Sequence, residues 1–210
     1  MLRKSLHGLG QLIVEFKFPI AVALVLRVAW VVLTYSVNGV EGWQQYDSTI
    51  YGHIAETFGR TGTLGYSNDV IVPISSRVPG YPLMLHYLGS TFTIILQILV
   101  SVATVLVTIS IGKRLGIRNK ALILLSWLMA LDIPSIIFTG ALMTETWFTF
   151  LLLASMEIWL LYSRRHGLWI GVLLGLSLYF RPIALYLPLI IVLADLVLYK
   201  SWKRGLLVVL

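Results

Sequence analysis

The chain has 210 residues, of which 58% are hydrophobic and 12% are charged, and its mean hydropathy is +0.89. Soluble domains are about a quarter charged, so this composition excludes an ordinary soluble domain and indicates a helical membrane protein. The net charge of +7 does not indicate a nucleic-acid-binding protein, because the basic residues fall in short clusters between apolar runs, and the absence of cysteine excludes disulfides and thiolate metal sites.

Long apolar runs recur along the whole chain. They predict membrane spans at about 18–37, 92–112, 120–138, 143–162, 167–180 and 183–199. A short helix beginning near Tyr81 precedes the second span, and GLLVVL at the end indicates the start of a seventh. We therefore expect residues 1–210 to form a single all-α module, a polytopic transmembrane helix bundle of six spans plus the start of a seventh, cut short at its C-terminus.

The distribution of lysine and arginine predicts which side of the membrane each loop faces. Twelve of the 16 basic residues lie before the first span, between the second and third, between the fourth and fifth, or after the sixth. The positive-inside rule assigns these segments, and the N-terminus, to the cytoplasm. The first apolar run has no small-residue cleavage site, so we expect it to stay as an uncleaved anchor.

The loop between the first and second spans is the longest polar segment and lies on the outer side. In GWQQYDSTIYGHIAETFGRTG, residues 42–62, the side chains of Tyr51, Ala55 and Phe58 recur at helical spacing. This spacing predicts an amphipathic helix along the outer membrane interface. Asp47 stands just before that helix. Two interpretations of Asp47 stay open: a helix N-cap, or a carboxylate at the mouth of an outer cavity that acts as a base.

Two outer arginines each stand beside a proline that opens a helix. SRVPGYP places Arg77 before Pro79 and Pro82, and LSLYFRPIAL places Arg181 directly before Pro182. Helix N-termini favour anions, and the guanidinium group matches the geometry of phosphate. The pair predicts a clamp for a phosphate or diphosphate headgroup. The alternative is that both arginines snorkel toward lipid headgroups.

Two further charged residues lie at or within predicted spans. Glu145 falls in the first turn of the fourth span, within LMTETWFTF, where a carboxylate suits the helix dipole. Arg27 lies inside the first span, and we expect it to have a structural role with an acid on another helix or a lipid phosphate as its partner. His53 and His86 do not have the spacing of a metal motif, so no metal site is predicted.

Taken together and in order, these stretches resemble the GT-C membrane glycosyltransferases, specifically the family 39 group that is similar to dolichyl-phosphate-mannose–protein mannosyltransferases. The resemblance covers roughly residues 10–200 and rests on YDSTIYGHIA, SRVPGYPLMLHYLG, KRLG, ALDIPSIIFTGALMTETWFTFLLLAS and GLWIGVLLGLSLYFRPIALYLPLI. The ordered set carries it, since no single motif is specific. Members of the family typically have more spans, so the resemblance is to their N-terminal part.

The resemblance implies an enzyme that moves a sugar from a polyprenyl-phosphate donor to an acceptor hydroxyl of a glycan, lipid or protein. Transfer would proceed with inversion on the outer side of a prokaryotic plasma membrane. Asp47 matches the family's catalytic aspartate, although many relatives have a glutamate where this chain has Ser48. The implied substrate-binding residues are Tyr51, Arg77, Tyr81, Glu145 and Arg181. No cofactor is implied with certainty, and a need for a divalent metal stays open.

Two other function classes stay open. A non-catalytic membrane module would bind polyprenyl phosphate or act as a scaffold for a partner, such as a separate subunit or a missing C-terminal half. A transporter or flippase would place charged or broken helices at mid-membrane. Only Arg27 is clearly mid-span in this sequence, so we rank the transporter below the other two classes.

Overall fold

The computed structural model describes residues 10–66, 72–73, 77–160 and 164–199, and the predicted start of a seventh span lies outside them. The described helices are α1 (Lys17–Asn38), α2 (Tyr46–Thr61), α3 (Gly80–Arg114), α4 (Asn119–Ala130), α5 (Ile133–Thr139), α6 (Glu145–Leu160), α7 (Arg164–Leu178) and α8 (Leu187–Tyr199). Short 3-10 helices cover Gly39–Trp43 and Pro182–Tyr186, and a two-residue antiparallel ladder pairs β1 (Gly65–Tyr66) with β2 (Val72–Pro73). The described chain is therefore helical apart from one minimal ladder.

Two helical segments are long and apolar enough to cross a membrane: Lys17–Trp43, which contains α1, and Gly80–Arg114, which is α3. The pair α4 and α5 makes a third if its bend of 43° is counted within one span. The apolar stretches Gly167–Leu178 and Pro182–Val197 are shorter. The structure is thus compatible with the predicted helical membrane protein, and the number of six spans stays a prediction.

Large apolar side chains cover much of the surface of the bundle. On α1, Val25 is 63% exposed and Val37 is 70% exposed, and Val197 on α8 is 74% exposed. Monomeric soluble proteins rarely expose continuous apolar surfaces of this kind, because water penalises them. Lipid chains would cover these side chains without that penalty.

Helix α3 lies at the centre of the bundle, and α1, α2, α4, α5 and α6 all pack against it. At Gly89 its backbone has φ 71° and ψ 167°, a conformation that essentially only glycine adopts. The break separates a short first piece, residues 80–88, from the long apolar part of α3. This arrangement matches the predicted short helix near Tyr81 and the predicted span at 92–112.

The predicted third span is broken where a new helix begins. Helix α4 ends at Ala130, and Asp132 caps α5 by accepting hydrogen bonds from Ser135 N at 3.0 Å and Ser135 Oγ at 2.5 Å. Pro134 follows in the first turn of α5, where its missing N–H costs nothing. The predicted third span at 120–138 thus consists of two helices bent by 43°, because the cap and the proline both start a second helix.

Arg27 is buried between α1, α3 and α4, with 1% of its surface exposed. Its Nε donates to Ser101 Oγ at 2.7 Å, and its Nη atoms donate at 3.1 to 3.3 Å to the carbonyl oxygens of Ala23, Met129 and Ala130. Two of these carbonyls belong to the last turn of α4, which has no further helical partners for them. The role is structural as expected: the direct partners are a hydroxyl and carbonyl oxygens, and the carboxylate of Asp132, at the start of α5, acts electrostatically on the guanidinium group.

Candidate functional site

Two arginine-bearing segments meet at the end of the bundle where α3 begins. Gly80 N donates to Tyr179 O at 2.8 Å, which joins the loop before α3 to the loop after α7. A Cβ atom on Gly80 would stand 2.4 Å from the same carbonyl oxygen, so only glycine allows this approach. The contact brings the segments that carry Arg77 and Arg181 to the same side of the bundle.

Arg77 forms an ion pair with Asp47. Its Nη2 lies 2.7 Å from Asp47 Oδ1, and about a third of each side chain is exposed, 34% for Arg77 and 33% for Asp47. The pair joins the first turn of α2 to the loop that precedes α3. The sequence predicted the two residues separately, and the structure places them in direct contact.

Asp47 does not cap α2. Gln45 is the N-cap residue and forms a reciprocal capping box with Ser48, whose Oγ accepts from Gln45 N at 2.9 Å. Ser48 Oγ also donates to Leu142 O at 2.9 Å, which fixes the start of α2 against the loop before α6. The N-cap interpretation of Asp47 was therefore wrong, because a different residue already accepts the free backbone N–H groups and leaves this carboxylate directed toward Arg77.

Arg181 forms a second ion pair with Glu145. Its Nη2 lies 2.6 Å from Glu145 Oε1, and the two side chains are 40% and 17% exposed. Stacking of Phe180 on Trp147, with ring centroids 5.7 Å apart and planes within 7°, fixes the backbone next to Arg181. The guanidinium also lies over the ring of Phe148, at 5.8 Å from its centroid. This pair joins the first residue of α6 to the loop after α7.

Tyr51 lies within electrostatic range of both ion pairs. Its side chain is buried, and burial raises the pKa of its hydroxyl, an effect that a hydrogen bond with Thr144 partly offsets. The charges of Asp47, Arg77 and Glu145 also act on this hydroxyl. Both carboxylates and one of the two arginines thus act on one phenol, and we call Asp47, Tyr51, Arg77, Glu145 and Arg181 the paired-arginine site.

Tyr81 packs against Tyr51 and supports the paired-arginine site from the interior of the bundle. It is completely enclosed, its ring lies 5.2 Å from that of Tyr51, and its Oη donates to Gln97 Oε1 at 2.6 Å. Gln97 Nε2 in turn donates to Ala141 O at 2.8 Å and Thr139 O at 3.1 Å. We predicted that Tyr81 lines the cavity, but its hydroxyl is committed to Gln97, so the structure gives it a positioning role.

Sequence reasoning missed Gln97, although the sequence held a signal for it. Gln97, Ser101 and Thr104 follow one another at spacings of four and three residues, which places them on one face of α3. Polar side chains in an apolar span are expensive and usually face other helices. In the structure all three side chains are buried. Gln97 accepts a hydrogen bond from Tyr81, and Ser101 accepts one from Arg27.

The chemistry of the site favours an anion over a metal ion. Over residues 10–66, 72–73, 77–160 and 164–199, no group of three or more histidine, cysteine, aspartate or glutamate side chains is arranged to hold a metal. Both carboxylates of the site are already engaged by arginine. The two guanidinium groups are partly exposed, and their planar arrays of donors are suited to bind phosphate.

Comparisons of this chain with protein-family models, with curated proteins and with solved structures give no match. The resemblance to the GT-C glycosyltransferases therefore stays a prediction that rests on the stretches quoted above. The function is inferred below from the chemistry of the site.

Proposed function

We propose that this chain is a membrane glycosyltransferase module that takes a sugar from a polyprenyl-phosphate donor and transfers it, with inversion, to an acceptor hydroxyl on the outer side of the membrane. The observation that carries the proposal is the presence of two arginine–carboxylate pairs on segments that the contact between Gly80 and Tyr179 brings together. The reaction needs cations for a phosphate leaving group and a carboxylate for a hydroxyl proton, and these are the groups that the site contains.

The arginines are suited to hold the lipid phosphate. In each pair the carboxylate engages one nitrogen, Nη2, of a guanidinium group that carries five N–H donors. Arg77 and Arg181 are 34% and 40% exposed, so a headgroup can reach them from outside the bundle. Charge-assisted hydrogen bonds to phosphate are among the strongest available to a protein.

Asp47 would act as the base once the donor is bound. In the structure its carboxylate is held by Arg77 at 2.7 Å. A phosphate that binds Arg77 competes for the same guanidinium and frees Asp47 to accept the proton of the acceptor hydroxyl. The acceptor oxygen then forms a bond to the anomeric carbon while the bond from that carbon to the phosphate oxygen breaks. The lipid phosphate leaves with the electron pair, and the two arginines stabilise its charge.

The proposal includes six spans, an N-terminus in the cytoplasm of a prokaryote, and the paired-arginine site on the outer side of the plasma membrane. The distribution of lysine and arginine supports it, because the C-terminal end of α3 carries Lys113 and Arg114 while its N-terminal end follows the loop of Arg77. The chain has no cysteine, so single cysteines introduced into each loop can be labelled from one side of the membrane to test every span.

One observation favours a second candidate, a non-catalytic module that binds polyprenyl phosphate. Both carboxylates of the site are paired with arginine, which neutralises the groups that would act as a base. In such a module the pairs would hold the arginines in place for a phosphate, and no group transfer would follow.

The substitution Asp47→Asn separates the two candidates. Asparagine keeps the size of the side chain and one oxygen for Arg77, but it cannot take up a proton. The full chain in lipid vesicles, supplied with a series of polyprenyl-phosphate sugars and a membrane extract as acceptor, is assayed for released polyprenyl phosphate by mass spectrometry. For a transferase we expect release to fall by about 10²- to 10⁴-fold, while binding of polyprenyl phosphate is kept.

The matched control is Glu15→Gln, which alters an ion pair with Lys113 that is far from the site along the chain. Release should stay at the level of the unchanged protein in this variant. If Asp47→Asn keeps full release, Asp47 is not the base. If the unchanged chain binds polyprenyl phosphate but releases none from any donor, the module is the better description.

A further inference from the structure

Four exposed tyrosines lie at the end of the bundle that carries the paired-arginine site. They belong to α1, to the first piece of α3, to the loop after α7 and to the 3-10 helix before α8, and they are Tyr35, Tyr87, Tyr179 and Tyr186. Each of them is between 50% and 71% exposed, whereas Tyr51 and Tyr81 are buried in the interior. The four exposed rings therefore face the surroundings of the bundle.

Two of these tyrosines flank Arg181. The carbonyl oxygen of Tyr179 accepts a hydrogen bond from Gly80 N at 2.8 Å, in the contact that joins the two arginine-bearing loops. Tyr186 ends the 3-10 helix that begins directly after Arg181. Tyr179 and Tyr186 are thus attached to the same segment as one guanidinium group of the site.

The other two tyrosines are connected to this end through α2 and through the loop before α6. The ring centroid of Tyr87 lies 6.4 Å from that of Phe58 on α2. The ring centroid of Tyr35 lies 5.2 Å from that of Trp43, and Trp43 O accepts a hydrogen bond from Leu142 N at 2.8 Å. All four tyrosines therefore lie around the elements that build the paired-arginine site.

Exposed apolar side chains follow the tyrosines along two of the helices. On α3 they recur at spacings of three and four residues, which places them on one face, and they are Phe92, Ile95 and Leu99. On α8, which follows Tyr186, they include Leu189, Ile190 and Leu193. Helix α2, which packs against the first piece of α3, instead exposes the charged side chains of Glu56 and Arg60.

This distribution of charged, tyrosine and apolar side chains corresponds to the layers of a bilayer. Tyrosine combines an apolar ring with a polar hydroxyl, so it is enriched where lipid hydrocarbon meets the headgroups. Tyr35 and Tyr186 are also carried on different sides of the bundle, because α1 packs against α3, α4 and α5, whereas α8 packs against α7 and the preceding 3-10 helix. A protein partner would cover one side, whereas a bilayer surrounds every side.

We propose that these four residues form a tyrosine girdle, which lies at the boundary between lipid headgroups and hydrocarbon chains and sets the depth of the paired-arginine site in the membrane. The partner of this surface is the bilayer itself. The inference requires that the bundle lies in a membrane, and it does not depend on the transferase reaction. It predicts that Arg77 and Arg181 stand at the level of the lipid phosphates, within reach of a phosphate that stays in the bilayer.

The absence of cysteine allows each depth to be measured with a single label. The four tyrosines are replaced singly by cysteine, labelled with a nitroxide and reconstituted as the full chain in phosphatidylcholine vesicles. Electron paramagnetic resonance with power saturation then compares collisions of the label with oxygen, which dissolves in hydrocarbon, and with a water-soluble nickel chelate.

Two further labelled variants are the matched controls. Leu99→Cys is the deep control, because Leu99 lies ten residues after Gly89, about 15 Å along the helix, and a hydrocarbon core of about 30 Å has its centre at that depth. Glu56→Cys on the exposed face of α2 is the control on the water side.

We expect the four girdle labels to give ratios of oxygen to nickel collisions between those of the two controls. Their depths should agree within about 7 Å, because the headgroup region on each side of a bilayer is about 5–7 Å thick, and the Leu99 label should lie about 15 Å deeper. A girdle label as deep as that of Leu99, or as accessible to the nickel chelate as that of Glu56, would overturn the proposal.

Low collision rates with both reagents would show that protein covers the tyrosine, and this result would also overturn the proposal. Each variant must show the helical circular dichroism of the unchanged chain. Where a tyrosine variant does not, a label on an exposed neighbour measures the same level with all four tyrosines intact, and the variants are Val37→Cys, Leu88→Cys and Ile183→Cys.

Discussion

Two ion pairs lie at each end of α3, and the chain builds them in different ways. Before the helix begins, Asp47–Arg77 and Glu145–Arg181 join four separate segments, and the charges of both carboxylates act on the hydroxyl of Tyr51. In its last turn, the pairs Lys113–Glu15 and Arg114–Glu157 are carried by two consecutive residues. The long part of α3 that separates the two ends, from residue 90 to residue 114, spans about 36 Å.

The difference explains why we assign the candidate site to the end of α3 where the pairs come from separate loops. Consecutive residues of a helix point about 100° apart, so Lys113 and Arg114 reach different neighbours, one before α1 and one on α6. Their charges also complement the C-terminal end of the helix dipole. Arg77 and Arg181 come from loops that touch at Gly80 and Tyr179, so the two arginine-bearing segments lie on the same side of the bundle, as the proposed phosphate site requires.

The largest expected effect concerns phosphate binding. Arg77→Ala and Arg181→Ala should each weaken binding of polyprenyl phosphate by roughly 10- to 100-fold, because each removes a charge-assisted hydrogen bond. Binding to the full chain in nanodiscs can be followed by native mass spectrometry. Arg114→Ala is the matched control and should bind as the unchanged protein does. An equal loss in Arg114→Ala would mean that the arginines attract headgroups generally and that the two ends do not differ.

A second expected effect concerns the contact that brings the two loops together. Gly80→Ala should lower the free energy of unfolding by about 1–3 kcal/mol, because the new methyl group would overlap Tyr179 O. Denaturation in mixed micelles, followed by tryptophan fluorescence, measures the change. Gly52→Ala in α2, where the structure leaves open space, should be neutral or stabilising. If Gly80→Ala is as stable as Gly52→Ala, the close approach of Gly80 to Tyr179 is not what keeps the Arg77 and Arg181 loops together.

A third expected effect concerns the hydrogen bond from Tyr81 to Gln97, which holds Tyr81 against the paired-arginine site. Tyr81→Phe removes the hydroxyl that donates to Gln97 and leaves Gln97 Oε1 buried without that donor. We expect a loss of about 1–2 kcal/mol in the free energy of unfolding. Tyr35→Phe is the control, since Tyr35 is half exposed and should change stability by less than about 0.5 kcal/mol. Similar values for both variants would argue against a positioning role for Tyr81.

The smallest expected effect is at the far end of α3. Lys113→Ala should change the free energy of unfolding by about 0–1 kcal/mol, because its pair with Glu15 is exposed and both long side chains lose entropy when they pair. The change should shrink further at high salt. A loss well above this range, unaffected by salt, would show that the far-end pairs contribute as much to the structure as those of the paired-arginine site.

The positions of the helices could largely be predicted from hydropathy and helical spacing. The predicted first span at 18–37 agrees with α1 at Lys17–Asn38, and the amphipathic helix in the first loop is α2. These are local properties of the chain. The break between α4 and α5 was missed because hydropathy does not register a cap, although the order of Asp132, Ile133 and Pro134 contained one.

The residues of the candidate site could be predicted from the sequence, but which arginine pairs with which carboxylate could not. Charge placement and the prolines indicated that Asp47, Arg77, Glu145 and Arg181 gather on one face. Their pairing depends on contacts across 30 and 36 residues of sequence, which no local pattern encodes. The enclosure of Tyr81 depends in the same way on Gln97, which comes from the following part of α3.

The break at Gly89 means that the part of α3 nearest the site is not rigidly continuous with the part that spans the membrane. The dihedral angles at this residue are not helical, and residues 80–88 contact α2 and Tyr179. A side chain at position 89 would disfavour these angles, so a single glycine sets the direction in which the short piece leaves the long segment.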